Sequence, residues 1–317
     1  MIKIILSPKE KKTIETLYYE DACKSPTGVI NLLRDSSTAQ WLEKNYISIY
    51  NELFNKGRLD DVKIRKLLFA DRNTMMSYIS RLSNYSKKDS EILQNKVFKY
   101  NTFANRDVSN QILQKLNIRV CPYCNRQYII TLKNKKARPQ WDHYYPKSEY
   151  PYLALSIYNL IPSCGICNMA KSDLDTFTSP ILYPYEQEFG DNVQFALKRK
   201  PHTSVSRFVH GQSDNFDIIL ANPSHVFKKE IEQQMTSLHI LDIYEEHKDY
   251  ICDILKNNYI NSNRRIEELC KIFPNIFKNK DNARDVLFLS SLNKQKWGNR
   301  PFAKLTNDIL NEINKGK

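Results

Sequence analysis

The sequence predicts an α+β, mainly α chain, in which a zinc-pinned central module with a β-hairpin is flanked by helical N- and C-terminal regions. Three observations predict it. Apolar residues recur at helical spacing through residues 1–115. Past residue 116 that periodicity fades, aromatic residues crowd in, and two Cys-x-x-Cys pairs appear, Cys121/Cys124 and Cys164/Cys167. Helical patterns return beyond residue 225.

In the N-terminal region (1–117), a short strand is expected at Ile2–Leu6. Ser7-Pro8 then suits a helix start, with Ile14, Leu17 and Tyr18 on one face. Thr38–Phe54 reads as one helix, with Trp41, Leu42, Ile49 and Phe54 near helical spacing and Gly57 as its stop. Further helices are expected at Val62–Phe69, Asn73–Leu82, Glu91–Phe98 and Asp107–Leu116. This region reads as a helical scaffold more readily than as a binding surface.

In the central module (118–180), Gln127–Leu132 is β-branched and loosely alternating, which suggests a strand. Asn134–Arg138 is then a basic turn and Pro139–His143 the second strand, which delivers His143. Gly165–Lys171 reads as a short helix starting at the second knuckle. In the C-terminal region (181–317), strands are expected at Val193–Arg199, Arg207–Val209 and Phe216–Leu220. Helices follow at Val226–His239, Tyr244–Asn257, Arg264–Phe273 and Phe302–Ile313, and Asn222-Pro223-Ser224 resembles a helix entry.

A chain of 317 residues exceeds one hydrophobic core, so two or three structural units are expected. Only 7 Gly against 19 Tyr and 14 Phe argues for ordered structure with few flexible linkers. The net charge of +13 favours a polyanionic partner, although part of it can come from base composition alone. The opening MIKIILSPKEKK is too short for a signal-peptide core, and no run approaches the ~18 apolar residues of a membrane span. A cytoplasmic location is therefore expected.

Four of the seven cysteines form close pairs, which in a reducing compartment favours metal ligation over disulfides. Two knuckles supply four thiolates, a closed tetrahedral set whose zinc would be structural. The other readings of this set are an iron–sulfur cluster and plain buried thiols. Cys23, Cys252 and Cys270 sit at no ligand spacing and carry no assigned chemistry.

Between the knuckles, and just past the second, lie the side chains that phosphodiester hydrolysis needs. A neutral imidazole, His143, can take a proton from water near pH 7. Asp142 and Asn168 offer the hard oxygens that Mg2+ prefers. Neighbours on a strand point to opposite faces, so Asp142 and His143 share a site only where the strand bends. Other residues read as structural. Trp141 and Tyr144 suit the hairpin core better than base stacking, and Lys198-Arg199-Lys200, His202 and His210 suit an exposed strand end. His239 and His247, near Glu245 and Glu246, suit a solvated helix face better than a second metal site. Lys133, Lys135, Lys136 and Arg138 are evenly balanced between a solvated turn and phosphate contacts.

The run Asp142-His143-Tyr144-Tyr145-Pro146-Lys147-Ser148, then Asn159-Leu160, then Cys164-x-x-Cys167-Asn168-x-x-Lys171 resembles the HNH (ββα-metal) endonuclease family in its four-cysteine zinc form. The three family elements fall on His143, Asn159 and Asn168, so the chain reads as an H-N-N variant. The resemblance implies His143 as general base, Asp142 and Asn168 as ligands of a catalytic Mg2+ (or Mn2+), and Asn159 as the residue that holds the His143 loop. It also makes Lys171 a candidate for phosphate or transition-state charge. The wording around Asp142–Ser148 and Ile161–Cys164, with Pro184-Tyr185, is similar to HNH subunits of bacterial anti-phage systems of the Septu and retron-associated type, which work with an ATPase partner.

The function this implies is Mg2+-dependent endonuclease cleavage, of DNA in preference to RNA, with an ATPase subunit or a second copy as partners. The alternatives are an RNase acting on structured or transfer RNA, a toxin-like nuclease, and a zinc-stabilised nucleic-acid-binding module without catalysis.

Overall fold

The computed structural model describes residues 1–82, 85–132, 137–221 and 225–315. Of the expected features, Lys133, Lys135, Lys136 and Asn222-Pro223-Ser224 lie outside the described residues. The fold is α+β and mainly helical. Contacts divide the chain into two units, one of 4–118 and 129–185, the other of 1–3, 119–128 and 186–317. The boundaries differ from the expected three segments, because most of the central module groups with the N-terminal helices.

The first unit carries α1 (Pro8–Lys24), α2 (Val29–Arg34), α3 (Ser36–Asn45), α4 (Ile47–Leu53), a hairpin of β1 (Phe54–Asn55) and β2 (Arg58–Leu59), then α5 (Asp61–Leu68), α6 (Arg72–Arg81), α7 (Lys87–Lys96), α8 (Tyr100–Ala104) and α9 (Asp107–Leu116). The module follows with β3 (Gln140–His143), β4 (Leu160–Ser163) and α10 (Gly165–Lys171). Pro8 starts α1 as expected, and Ser7 and Glu10 close a reciprocal capping box over its first turn. The single helix expected over Thr38–Phe54 breaks at Tyr46, which leaves helical geometry and donates its hydroxyl to Asp89 Oδ1 at 3.0 Å. Gly57 stops no helix. It takes φ 77 after Lys56 at φ 48, the left-handed pair that a two-residue hairpin turn requires.

The strand pairing differs from expectation too. β3 pairs antiparallel with β4, with Asp142 opposite Ile161 and His143 opposite Leu160, and not with Gln127–Leu132. The latter stretch is held by a bridge from Val120 to Tyr128 and by bonds from Cys121 N to Gln127 O and from Leu132 N to Ala137 O. Its alternation reflects one buried residue, Ile129, between the exposed Tyr128 and Ile130. The connection from β3 to β4 is irregular and buried, so its carbonyls need partners other than a ladder. Tyrosines supply two of them, Tyr18 donating to Leu155 O and Tyr183 to Tyr158 O at 2.8 Å, while Tyr144 of the connection donates outward to Ile181 O at 2.6 Å. That use of hydroxyls at the ends of apolar rings accounts for the tyrosine-rich composition here. From the helical side, Ser109 of α9 accepts from Trp141 Nε1 at 2.9 Å, which fixes β3 to the scaffold.

The second unit holds the antiparallel pair β5 (Gln194–Arg199) and β6 (Phe216–Ala221), with α11 (Val205–Val209), α12 (Lys228–Ser237), α13 (Ile240–Glu245), α14 (Lys248–Ile260), α15 (Asn263–Ile272), α16 (Lys280–Leu287) and α17 (Ala303–Lys315). Arg207–Val209, expected as strand, is helical because Ser204 caps α11 by accepting from Arg207 N. Ile2–Leu6 forms no strand. Ile2 N donates instead to Pro122 O at 2.9 Å, and Ile4 N to Pro184 O at 2.7 Å.

In this unit the knuckle segment 119–128 is clamped by residues far along the chain. Asn125 takes a left-handed φ of 49 and is fully buried. Its Nδ2 donates to Trp297 O at 2.9 Å, its Oδ1 accepts from Lys304 N at 3.2 Å, and its carbonyl accepts from Phe302 N at 2.6 Å. Tyr244 donates to Cys124 O at 2.6 Å and Gln234 to Tyr123 O at 3.0 Å. Among the described residues, no helix is long and apolar enough to cross a membrane.

Candidate metal centre and candidate active site

Cys121, Cys124, Cys164 and Cys167 are all buried, and their sulfurs lie within 4.8 Å of one another. Tetrahedral zinc with Zn–S bonds of about 2.3 Å sets sulfurs about 3.8 Å apart, so this cluster fits the ion with little contraction. Backbone N–H groups supply the second layer of a thiolate site: Arg126 N donates to Cys124 Sγ and Cys167 N to Cys164 Sγ, both at 3.4 Å. Cys164 is also the N-cap of α10, so the second knuckle and the helix start are one feature. His239 and His247 join no metal-ligating cluster among the described residues. His239 pairs with Asp242 in solvent, and His247 faces Arg126 and the Phe302 ring.

The second constellation sits at the end of β3. Asp142, His143 and Asn168 line one open cleft of about 280 Å3, with Tyr100, Pro146, Lys147, Ser172 and Asp173 around them. The bend needed to bring adjacent Asp142 and His143 together comes where β3 ends at His143. Asn159 holds the chain beyond that point. Its Oδ1 accepts from Tyr145 N at 2.8 Å, while its Nδ2 donates to Tyr145 O at 3.0 Å and Leu153 O at 3.1 Å. Its own carbonyl accepts from Tyr144 N at 2.8 Å.

His143 is nearly enclosed. Its Nε2 lies 3.1 Å from Ala154 O, and a carbonyl can only accept, so Nε2 carries the proton. Burial is the main force holding the ring neutral, driving its pKa down to about 3. The Ala154 hydrogen bond opposes this, and the charges of Lys147 and Lys171 assist it. In that neutral tautomer Nδ1 presents a lone pair. Tyr100 packs edge-on against the ring with centroids 4.3 Å apart. Burial pushes the Tyr100 hydroxyl up to about 12, and it donates to Trp141 O at 3.2 Å.

Asn168 Nδ2 donates to Gln140 Oε1 at 2.7 Å, which fixes the amide so that its oxygen is the group left to ligate. Ser172, just past α10, adopts φ 45 and ψ −130, a strained backbone for a residue with a Cβ, at the rim of the same cleft.

Lys171 is placed differently from expectation. Its side chain is fully buried, with Nζ 2.6 Å from His143 O and 3.2 Å from Asp142 Oδ1. An ammonium walled in this way cannot meet a phosphate. It instead compensates the buried Asp142 carboxylate and fixes the strand end. Removing one member of such a pair leaves an uncompensated charge. Lys171→Met should therefore lower unfolding stability by about 3–5 kcal/mol. Combining it with Asp142→Asn should return part of that loss. Denaturant melts of the three variants check this, and a parent-like midpoint for the single variant would contradict it.

Asn159→Ala should also destabilise, by at least about 2 kcal/mol, since it strands a buried N–H and two buried carbonyls. The midpoint of urea unfolding measures it, and a shift near zero would remove the loop-holding role.

Trp141 and Tyr144 are buried, as their reading as hairpin core requires. Arg138 donates to Asn105 Oδ1 at 3.4 Å. The cleft residues that sequence spacing did not single out are Tyr100, Ser172 and Asp173. Tyr100 arrives from a helix 43 positions before His143 and carries no local signal. No family model matches the chain, and no curated protein and no solved structure matches it.

Proposed function

We propose that the chain is a zinc-stabilised, Mg2+-dependent endonuclease of the HNH type, acting on nucleic acid with DNA favoured. The observation that carries this reading is the state of His143: neutral, with Nε2–H spent on Ala154 O, and on the same cleft as two hard-oxygen side chains. Asp142 and Asn168 suit Mg2+, which accepts few protein ligands and keeps its waters. When bound, the ion would offset charge on the scissile phosphate and the leaving oxygen.

The chain's own residues supply the rest. His143 Nδ1 takes the proton of the attacking water, and Ala154 O keeps the ring in the tautomer that can do so. Asn159 and Lys171 hold the loop and strand end from which His143 and Asp142 project. Four buried sulfurs fit the structural zinc. The high positive charge suits a polyanionic substrate. A role as the cutting subunit of a bacterial anti-phage system, gated by an ATPase, accords with the resemblance of Asp142–Ser148.

Parallel digestion of plasmid and of total RNA, with Mg2+ and without it, tests the reading. Cleavage of plasmid only with Mg2+ supports it. Cleavage of RNA alone would move the substrate to RNA, and cleavage of neither would leave a nucleic-acid-binding module.

A further inference from the structure

The cleft at His143 does not end at Lys147. A second polar cavity of about 360 Å3 shares Tyr100 and Lys147 with it and is walled by Glu91, Gln94, Asn95, Lys99, Asn101 and Thr102. These residues come from α7 and from the start of α8, outside every motif the sequence displays. Lys147 stands where the two cavities meet, and its place is built. Gln94 Nε2 donates to Lys147 O at 2.9 Å, Lys147 Nζ donates back to Gln94 Oε1 at 3.1 Å, and the ammonium lies 5.5 Å over the Tyr100 ring.

Among the described residues neither Lys147 nor Lys99 has a carboxylate ion-pair partner, whereas Lys171 is neutralised by Asp142. Unpaired cations beside amide and hydroxyl donors suit phosphate and sugar oxygens, the groups that position nucleic acid without reading its sequence. Glu91 is the acidic member of the lining and disfavours phosphate near itself.

We infer that the two cavities form one groove for a nucleic-acid backbone, with Lys147 and Lys99 on phosphates that flank the one held at His143. The inference rests on the function proposed above. In this arrangement the helical N-terminal region is part of the substrate track as well as a scaffold. Lys147 fixes the strand next to the reacting centre, and Lys99 holds it further along.

The test is the salt dependence of binding of a fluorescein-labelled oligonucleotide to the full chain in zinc-containing buffer without added Mg2+. Duplex DNA, single-stranded DNA and RNA of one sequence are separate arms. Each lost phosphate contact lowers the slope of log K against log salt by about 0.9 on duplex and about 0.7 on single strands. Lys99→Ala and Lys147→Ala should each show that loss, and Lys147→Arg should restore it. In cleavage assays both alanine variants should raise KM. The arm bound most tightly by the parent at one fixed salt concentration identifies the backbone the groove takes. Parent-like slopes in both alanine variants would overturn the groove, even if His143 proves essential for cleavage. Reduced slopes in a chain that cleaves nothing would keep the groove and sink the nuclease reading.

Discussion

His143→Ala should stay folded, retain zinc and lose Mg2+-dependent cleavage by about a hundred- to ten-thousandfold, the range that a positioned general base supplies. The expectation follows from the ring's surroundings. Burial keeps it unprotonated, and the Ala154 carbonyl occupies the protonated nitrogen, so the remaining nitrogen is the one left to accept a proton. Among the described residues, no other imidazole lines the cleft. Cleavage at the parental rate would remove His143 from the mechanism.

The same variant carries a second signature, in stability. The folded pKa lies at about 3, and an unfolded histidine titrates near 6.5. Between those values the unfolded chain holds a proton that the folded chain lacks. Stability therefore falls as pH drops below about 6.5, by up to about 1.4 kcal/mol per unit, and levels off below the folded value. Above pH 6.5 the group contributes no slope. Melts of parent and variant at matched zinc should differ by this slope in mild acid, and identical pH profiles would mean that the ring is solvated.

Cys164→Ser should strip the zinc and unfold the cysteine-bearing segments. The apparent binding energy of a four-thiolate site, on the order of ~10 kcal/mol, exceeds the whole stability of many domains. Serine separates the two roles of this residue. Cys164 caps α10 by accepting from Cys167 N, and serine is itself a favoured cap, so helix initiation survives while the thiolate is lost. Cys124→Ser should behave alike, although the backbone carbonyl that Tyr244 holds is untouched. Zinc content by emission spectroscopy, paired with melting curves, measures both. A soluble and active preparation without zinc would refute a structural metal.

What the sequence made legible was local. The helix Gly165–Lys171 begins at the second knuckle as its spacing suggests, because Cys-x-x-Cys places the cap one residue before the first turn. The four cysteines converge as two knuckles on one ion would require. The illegible parts depend on contacts between distant segments. The partner of β3 lies beyond an irregular buried connection, so nearby alternation at Gln127–Leu132 pointed to the wrong strand. Lys171 occupies a motif position, but only the fold reveals that its ammonium is enclosed between His143 O and Asp142. Tyr100 and Gln94 reach the cleft from helices whose patterns encode only their buried faces.

The clamp on the first knuckle has a consequence for the order in which this protein becomes competent. Cys121 and Cys124 lie in a turn whose buried Asn125 depends on Trp297, Phe302 and Lys304. Those partners lie 172 to 179 positions further along the chain. A ribosome-bound chain that has exposed the His143 motif and both knuckles still lacks the groups that set the first pair of thiolates. Setting of the first thiolate pair therefore waits on a segment about 170 residues downstream, and a fragment that stops short of Trp297 should take up metal more weakly than the chain that includes it.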